Sequence, residues 1–348
     1  MHAKAGLVVY RTSPGNVAGE DAINEYSRRL VRAMCAAGSP ACYITEGLSS
    51  VDFRGIDPLW VLLQYNPFSY GRWGIAPRLV RDVIVLRRRT GALFALTVHE
   101  SWVGMNGWRS TLMGAYQRVQ LRSLLRMADA VIVTRVALAD VLGKGTVHVP
   151  VASNVTPIST TVRSARDRLG IADELVVALF GKGHPSRALD HAEAAIAALA
   201  AKRGPRRIRV LNLGVGAPAL DVTPAVDVWA PGALSADELS LHLWASDLFL
   251  LPLTDGVSTG RTTLMAALAH GLPVLGLRGP STDTVLINHP EALTLTRVGD
   301  QRAFARAAVE LAGDLGRLRA TGEAARHLYT SHFDWPVVAN RVISALHR

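Results

Sequence analysis

A glycine-rich segment with two cations follows one of the predicted strands, in a position suited to phosphate binding. The strand is expected at Leu175–Gly181, and residues 181–187 have the sequence Gly-Lys-Gly-His-Pro-Ser-Arg. Glycine lets the backbone approach a ligand closely, and Lys182 and Arg187 can hold two phosphate groups from a loop that opens a helix. The alternative is an exposed loop whose charges serve no ligand.

A second polar segment, residues 254–263, leads into the predicted helix Arg261–His270. The first backbone N–H groups of a helix lack partners within it, so this helix start, its hydroxyls and its guanidinium form a candidate anion site. Ser258 or Thr259 can instead act only as the helix N-cap. The candidate residues are Ser258, Thr259, Gly260, Arg261, Thr262 and Thr263.

A third candidate, Gly214-Val215-Gly216, follows the predicted strand Ile208–Gly214. It lacks the third glycine of a dinucleotide-binding fingerprint, and Pro218 comes soon after it, so we do not expect a dinucleotide site. Gly214 and Gly216 are kept as candidates because they follow a strand.

Strands that end at one edge of a sheet would position these segments, and the sequence predicts such sheets. Short apolar runs alternate with segments of helical period, which is typical of a parallel α/β architecture. We expect two Rossmann-like domains with a cleft between them and ligands beyond the carboxyl ends of the strands. The other predicted strands are Gly6–Tyr10, Ala41–Thr45, Trp60–Tyr65, Leu93–Val98, Ala130–Thr134, Thr146–Val151, Asp247–Leu253, Pro273–Leu277 and Ala292–Thr296.

The same alternation predicts the domain boundaries. Residues 1–155 are expected to form an N-terminal domain, and residues 156–172 a linker. Residues 173–332 are expected to form a C-terminal domain, and residues 333–348 a closing helix.

The positive charge is concentrated in the first half. Residues 1–155 contain 18 Lys and Arg against 10 Asp and Glu, a net charge of +8, and the remainder contributes only +2. This asymmetry indicates an anionic partner for the first half. Nucleic acid is not expected, because no helix-turn-helix, zinc-finger or aromatic-rich RNA-binding motif accompanies the arginines.

Composition excludes several protein classes. Apolar residues make up 49% of the 348 residues and charged residues 19%, which is typical of a globular chain and not of a disordered or fibrous one. Cys35 and Cys42 are too few for a disulfide scaffold and lack zinc-binding spacing, which favours a reducing compartment. No apolar run is long enough to span a membrane. We expect a cytoplasmic protein, with the inner face of the membrane as the alternative location.

Four features in order resemble the retaining GT-B glycosyltransferases of family four (glycosyl transferases group 1). Gly181-Lys182 followed by Arg187 resembles the basic pair that binds the donor diphosphate. Leu213–Gly216 is similar to the glycine pair after the second strand of the donor domain. Residues 266–274, AALAHGLPV, resemble the segment EAMACGLPVV. Phe333-Asp334-Trp335 resembles the start of the helix that crosses back to the N-terminal domain.

The first half resembles the same family. Val98-His99-Glu100 is similar to a His-Asp pair at the end of an N-terminal strand, and Gly19–Leu30 occupies the place of the glycine-containing loop and first helix. The resemblance implies that His99 contacts the donor sugar. The candidate acceptor-binding residues are Gly19, Glu20, Asp21, Glu100 and Trp102.

The resemblance implies transfer of a hexosyl-type sugar, with retention, from a UDP- or GDP-linked donor to a hydroxyl of a small-molecule, glycan or lipid-linked acceptor. The chain contains no D-x-D metal-binding triplet. We therefore expect no metal and no cofactor, with Lys182, Arg187 and the Thr262/Thr263 helix start neutralising the leaving group. His99, Lys182, Arg187 and Asp255 are the candidate catalytic residues.

One departure from the family keeps other functions open. The family has two glutamates eight residues apart, which fall here on Ser258 and Ala266. Asp255 is the candidate replacement for the first, and the second, which holds the ribose in the family, has none. A nucleotide-sugar epimerase of the same fold and a non-catalytic relative are the alternatives.

Arginines recur on the predicted helix Ser110–Met127. Arg118, Arg122 and Arg126 are four residues apart, and Trp102 and Trp108 precede them. The row is interpreted either as a solvated face or as a contact with an anionic membrane surface or an anionic acceptor.

Overall fold

The structure is a computed structural model that describes residues 5–9, 22–44, 58–104, 107–143, 145–202 and 207–347. The chain divides into two compact units. Unit 1 comprises residues 1–152 and 335–348, and unit 2 comprises residues 153–334. The chain therefore leaves unit 1 once and returns to it at its end.

Unit 1 alternates strands and helices around one parallel sheet. Its elements up to residue 152 are β1 (Ala5–Val9), α1 (Ala22–Ala36), β2 (Ala41–Ile44), β3 (Pro58–Tyr65), α2 (Leu79–Thr90), β4 (Leu93–Val98), α3 (Trp108–Met127), β5 (Ala130–Val133), α4 (Val136–Leu142) and β6 (Thr146–His148). The strand order is β2-β1-β3-β4-β5-β6, and the pairs are parallel. β3 and β4 are apolar and almost entirely buried, as strands covered on both faces require.

Unit 2 repeats this architecture. Its elements are α5 (Val162–Leu169), β7 (Leu175–Phe180), α6 (Leu189–Ala201), β8 (Ile208–Leu213), β9 (Asp227–Trp229), α7 (Ala236–Trp244), β10 (Leu248–Leu251), α8 (Thr262–Ala269), β11 (Val274–Arg278), α9 (Thr284–Ile287), β12 (Leu293–Arg297), α10 (Gln301–Ala312) and α11 (Leu315–His332). The strand order is β12-β11-β10-β7-β8-β9, again parallel. The edge strand β9 was not predicted, because its three residues are exposed.

The last helix, α12 (Trp335–Leu346), returns to unit 1 and packs against α1. The rings of Trp335 and Tyr26 are 5.3 Å apart. The break before α12 lies at residues 333–334, where the N–H groups of Phe333 and Asp334 both donate to the Tyr329 carbonyl at the end of α11. The predicted α/β class and the helix that crosses back to the first domain are confirmed.

Residues 156–172 are integrated into unit 2 and are not the linker that their polar, proline-containing sequence indicated. The Arg166 guanidinium pairs with the Asp247 carboxylate at 2.5 Å. The Ile158 N–H donates to the Ser240 hydroxyl at 3.0 Å. These partners lie about eighty residues further along the chain, so the sequence alone gave no sign of them.

A close backbone contact joins α8 to α11. A Cβ on Gly322 would overlap the carbonyl oxygen of Gly271, the residue that ends the turn after α8 with a φ of +66°. Only glycine at position 322 allows the two backbones to approach this closely. The end of α8 is thereby fixed on α11.

We predict that Gly322→Ala destabilises unit 2 by about 1–3 kcal/mol, because the methyl group forces the two backbones apart. This loss outweighs the gain of about 1 kcal/mol in helix propensity. Urea unfolding measures the change. Gly316→Ala on the same helix is the control, since its Cβ would meet only a carboxylate oxygen of Asp314, at 3.3 Å. Equal effects of the two substitutions would contradict the packing argument.

Candidate functional site

Three loops meet at one edge of the unit 2 sheet. β10, β7 and β8 are neighbours and run parallel, so the loops after them, residues 252–261, 181–187 and 214–217, emerge side by side. These loops contain the segments that the sequence singled out. The structure thus brings the separate candidates together, at the edge where open parallel sheets bind ligands.

Backbone hydrogen bonds hold the loops after β7 and β10 together. Arg187 and Leu253 form an isolated antiparallel bridge. The Thr254 N–H donates to the Ser186 carbonyl at 2.8 Å. The two polar loops therefore act as one surface.

The glycines bring the loop after β7 against the loop after β8 and the start of α8. Gly181 and Gly214 have φ values of +126° and +115°, which side chains rarely adopt. A Cβ on Gly214 would lie 3.3 Å from the Gly181 nitrogen, and one on Gly181 would lie 3.4 Å from the Thr263 methyl group. The Gly183 N–H donates to the Gly216 carbonyl at 2.8 Å. Small residues are thus needed here for close packing.

Arg187 is the most informative side chain of this edge. Its Nη1 donates to the Gly181 carbonyl at 2.9 Å. Its Nη2 is buried and has no hydrogen-bond partner within the described structure. Burial lowers the pKa of Arg187, yet a guanidinium stays charged in proteins. A buried charged donor without an acceptor is unfavourable, so an anion that reached this atom would be a favourable partner. Lys182 lies exposed on the same loop.

The start of α8 adds further donors. Arg261 is the N-cap residue, and its side chain makes no capping hydrogen bond. Thr262 and Thr263 form the first turn and are partly exposed. The backbone N–H groups of that turn, with the positive end of the helix dipole, favour a negatively charged ligand.

Ser258 and Thr259 are placed differently from the expectation. Both are buried, and neither is the N-cap of α8. The Thr259 backbone N–H and hydroxyl donate to the carboxylate of Asp283, a buried residue before α9, with the hydroxyl at 2.7 Å. Direct contact of these two side chains with a donor does not fit their burial. They shape the loop instead, and sequence reasoning missed Asp283.

Asp255 and Arg261 face each other across the loop after β10. Their nearest charged atoms, Oδ1 and Nη2, are 3.7 Å apart, and both side chains are partly exposed. The adjacent Gly256 has a φ of +90°, and a Cβ on it would overlap the backbone of Gly279 in the loop after β11. Gly260 is partly exposed. The close contact of Gly256 with Gly279 thus fixes the position of Asp255. Sequence reasoning did not identify these two glycines.

His99 lies directly after β4 in unit 1. Its backbone N–H donates to the Tyr65 carbonyl at 2.9 Å, and its Nε2 is 2.8 Å from Oε1 of Gln64. An amide oxygen only accepts, so Nε2 carries the proton and Nδ1 is the acceptor of the neutral ring. Burial lowers the pKa of His99 to about 4. At pH 7 the ring is therefore an uncharged hydrogen-bonding group, packed edge-on against Tyr26.

The other acceptor-side candidates of unit 1 are dispersed. Glu100 is exposed, with Oε2 3.7 Å from Nη2 of Arg135. Trp102 is covered by the Arg118 guanidinium, which lies 4.6 Å from the ring centre. The candidates Gly19, Glu20 and Asp21 lie outside the described residues.

A cavity of about 780 Å³ lies at the opposite edge of the unit 2 sheet. Its walls include Ala172, Ser246 and Pro273, which precede β7, β10 and β11. Its position at the amino ends of the strands separates it from the three loops. We therefore do not take this cavity as the candidate site.

The part of the chain that the structure describes contains no group of three His, Cys, Asp or Glu side chains arranged for a metal ion. None of its helices is long and apolar enough to cross a membrane.

Solved structures with the same architecture identify the fold. A sucrose-phosphate synthase from Thermosynechococcus elongatus has a TM-score of 0.69 at 16% identity, over 98% of both chains. WaaG, a glycosyltransferase involved in lipopolysaccharide biosynthesis, has a TM-score of 0.66 at 15% identity, over 98% of this chain and 99% of that one. Anabaena HepE, in complex with UDP and glucose, has a TM-score of 0.65 at 14% identity, with the same coverage.

The chain has the GT-B fold. No protein-family model and no curated protein matches its sequence. Sequence identities of 14–16% support the fold and not a particular reaction.

Within this GT-B fold, the positions that the resemblance gives to two glutamates are both buried. Ser258 is a buried residue of the loop after β10, and Ala266 is buried in α8. A carboxylate is absent from both positions. The position that the resemblance gives to the ribose-binding glutamate is therefore a buried alanine, Ala266.

A buried histidine holds α8 to α7. Nδ1 of His270 lies 2.7 Å from the Ala266 carbonyl, and Nε2 lies 2.8 Å from the Ser240 hydroxyl. A carbonyl only accepts, so Nδ1 carries the proton and Nε2 accepts from Ser240. Burial lowers the pKa of His270 to about 4. This histidine is structural, because both of its ring nitrogens are engaged within unit 2.

We predict that His270 makes unit 2 sensitive to acid. Its pKa is near 6.5 in the unfolded chain and about 4 in the folded one, so the unfolded state binds the proton more readily and folding loses stability as pH falls from 6.5 to 4. The contribution amounts to about 3 kcal/mol at pH 4.

Urea unfolding of wild type and His270→Gln at pH 7 and pH 4 measures this contribution. The variant should lose less stability on acidification than the wild type does. His327→Gln, at an exposed position on α11, serves as the control. Parallel pH dependence of wild type and His270→Gln would refute the assignment.

Proposed function

We propose that this chain is a glycosyltransferase that moves a sugar from a nucleoside diphosphate sugar to a hydroxyl group of an acceptor. The observation that carries the proposal is the partly buried Arg187 side chain, whose Nη2 is buried without a hydrogen-bond partner. It stands at the ligand-binding edge of unit 2, beside a helix start without a side-chain cap. This arrangement suits a diphosphate.

Each group at this edge has a place in diphosphate binding. Arg187 supplies a directional donor from a buried position, and Lys182 adds a mobile point charge from the exposed part of the loop. The first-turn N–H groups at Thr262 and Thr263 add backbone donors. Gly181 and Gly214 let the loops after β7 and β8 pack closely against each other and against the start of α8, which sets the positions of these donors.

The fold neighbours and the resemblance support the proposed donor class. HepE is described in complex with UDP, with UDP-glucose, and with UDP and glucose. We take a UDP-linked hexose as the first donor to test and a GDP-linked one as the second. The nucleotide sugar is a co-substrate, and no resident cofactor is proposed.

The proposed transfer retains the configuration of the sugar. The bond between the anomeric carbon and the phosphate oxygen breaks, and the acceptor oxygen bonds to that carbon on the same face. The acceptor proton passes to the departing phosphate. Arg187, Lys182 and the α8 start stabilise the negative charge that develops on the diphosphate, so the reaction is proposed to proceed without a metal ion. No single side chain is then an indispensable base.

The unit 1 candidates are proposed to serve the sugar and the acceptor. His99 is uncharged at pH 7, so it can hydrogen-bond to a sugar hydroxyl through Nδ1 without adding charge. Glu100 and Trp102 follow it on the same loop and are proposed for the acceptor, together with Glu20 and Asp21.

Nucleotide binding without transfer is the second candidate, and the buried Ser258 and Ala266 favour it. Both replace a carboxylate of the family. A nucleotide-sugar epimerase is the third. It would change the donor without needing an acceptor.

We predict that one of UDP, GDP, dTDP and ADP raises the thermal midpoint of the protein, with or without EDTA. A ligand at 100 times its Kd stabilises the folded state by about 2.7 kcal/mol. Arg187→Ala should weaken binding about tenfold to a hundredfold, because a hydrogen bond to a charged group contributes about 1.5–3 kcal/mol. Lys182→Ala should weaken it less.

Lys202→Ala is the matched control, because Lys202 is an exposed lysine at the end of α6. Its nucleotide binding should equal that of the wild type. Absence of any shift with all four nucleotides would refute the donor site. Binding without release of free nucleotide in the presence of acceptors favours the non-catalytic alternative, and conversion of the sugar without an acceptor favours the epimerase.

A further inference from the structure

One face of α3 exposes a row of apolar side chains. Trp108, Leu112 and Val119 are exposed by 71%, 66% and 62%, and Ala115 between them is exposed as well. Successive helix residues turn by about 100°, so these four lie within about 40° of one line along the helix. Single exposed apolar residues are ordinary, whereas a continuous row indicates a binding surface.

Two cations continue the same line. Arg122 and Arg126 are exposed and lie on the same side of α3 as Trp108, to within about 40°. Trp108 and Arg126 are about 27 Å apart along the helix axis. We call the surface formed by Trp108, Leu112, Ala115, Val119, Arg122 and Arg126 the α3 face.

The opposite side of α3 is fixed to unit 1, so the α3 face is not exposed by a loosely held helix. Gln117 donates to the Trp73 carbonyl at 2.9 Å and accepts from the Val103 N–H at 2.9 Å. Gln120 accepts from the Ala76 N–H at 3.1 Å. These bonds prevent α3 from turning its apolar row inward.

Arg118 does not belong to the α3 face, although its four-residue spacing from Arg122 predicted that it would. Its guanidinium lies over the Trp102 ring, and the residue is partly buried. At the other end of α3, Arg87 of α2 donates to the Met127 carbonyl at 2.6 Å.

The charge of α3 selects an anionic partner. The helix contains four arginines and no acidic residue, within a half of the chain that carries a net charge of +8. If the partner were a purely polar polyanion, the apolar row of the α3 face would stay exposed to water in the complex. A second copy of the same face would bring arginines against apolar side chains without a counter-charge, which is unfavourable. An anionic bilayer supplies both phosphate groups and an apolar layer.

We propose that the α3 face docks unit 1 on the surface of an anionic lipid bilayer. Trp108, Leu112 and Val119 enter between the head groups, where tryptophan is favoured. Arg122 and Arg126 bind lipid phosphates. Helices that present apolar side chains and basic residues in this way lie in the plane of the interface. The inference does not rest on the proposed transfer reaction, because docking needs neither donor nor acceptor.

Flotation of the full-length protein with vesicles tests the inference. Phosphatidylcholine vesicles containing phosphatidylglycerol should bind the protein, and vesicles of phosphatidylcholine alone should bind it much less. Arg122→Gln with Arg126→Gln should weaken binding about thirtyfold, because each arginine near an anionic surface contributes about a factor of five. Leu112→Ser with Val119→Ser should also weaken binding, about tenfold or more.

Matched controls come from unit 2. Arg302 and Arg306 are exposed and four residues apart on α10, and Arg302→Gln with Arg306→Gln should bind as the wild type does. Leu315→Ser controls for loss of an exposed leucine. Thermal midpoints equal to that of the wild type show that each variant is folded.

Three results would overturn the inference. The first is absence of binding to the phosphatidylglycerol vesicles. The second is equal binding by the wild type and the α3 variants, which would assign docking to another face. The third is that the wild type sediments as a dimer and the Leu112→Ser, Val119→Ser variant sediments as a monomer. The α3 face would then be a contact between two copies of the chain.

Discussion

At the carboxyl edge of the unit 2 sheet, the Arg187 guanidinium uses only part of its hydrogen-bonding capacity within the protein. The surrounding loops hold it in this position. One of its nitrogens bonds to the Gly181 carbonyl, while Nη2 is buried without an acceptor. The bridge to Leu253 fixes the start of α6 against the loop after β10. An anion bound there would complete an arrangement that is otherwise unfavourable, which explains why the loop geometry is so constrained.

The same constraint explains several residues that make no contact with a ligand themselves. Asp283 receives two hydrogen bonds from Thr259 and thereby sets the loop that leads into α8. His270 and Gly322 fix the far end of that helix. The N-terminal turn of α8 is thus positioned from both sides, and its Thr263 lies beside Gly181 at the end of β7.

Much of this could be predicted from the sequence, because polar loops after apolar strands mark the binding edge of a parallel sheet. The segments around Lys182, Gly214 and Arg261 were found in this way. Asp283 could not be found, since a lone aspartate before a short helix has the pattern of an ordinary cap. The sequence assigned Ser258 and Thr259 to the anion site or to the helix N-cap. Both side chains are buried and neither residue caps α8. The sequence could not show this, because burial depends on contacts far along the chain.

The arginines of α3 show the same limit. A spacing of four residues turns by about 40° at each step, so Arg118 drifts off the face that carries Arg126 and rests on Trp102. Only the structure separates the arginine that packs from those that stay exposed. Of the three arginines that the spacing placed in one row, Arg118 packs and Arg122 and Arg126 stay exposed.

A structure of the protein with bound UDP would test the central claim most directly. The account predicts the diphosphate within hydrogen-bond distance of Arg187 Nη2, beside Lys182 and the first-turn N–H groups of α8. Nucleotide bound instead in the cavity at the amino edge of the sheet, with Arg187 Nη2 still unpartnered, would contradict it.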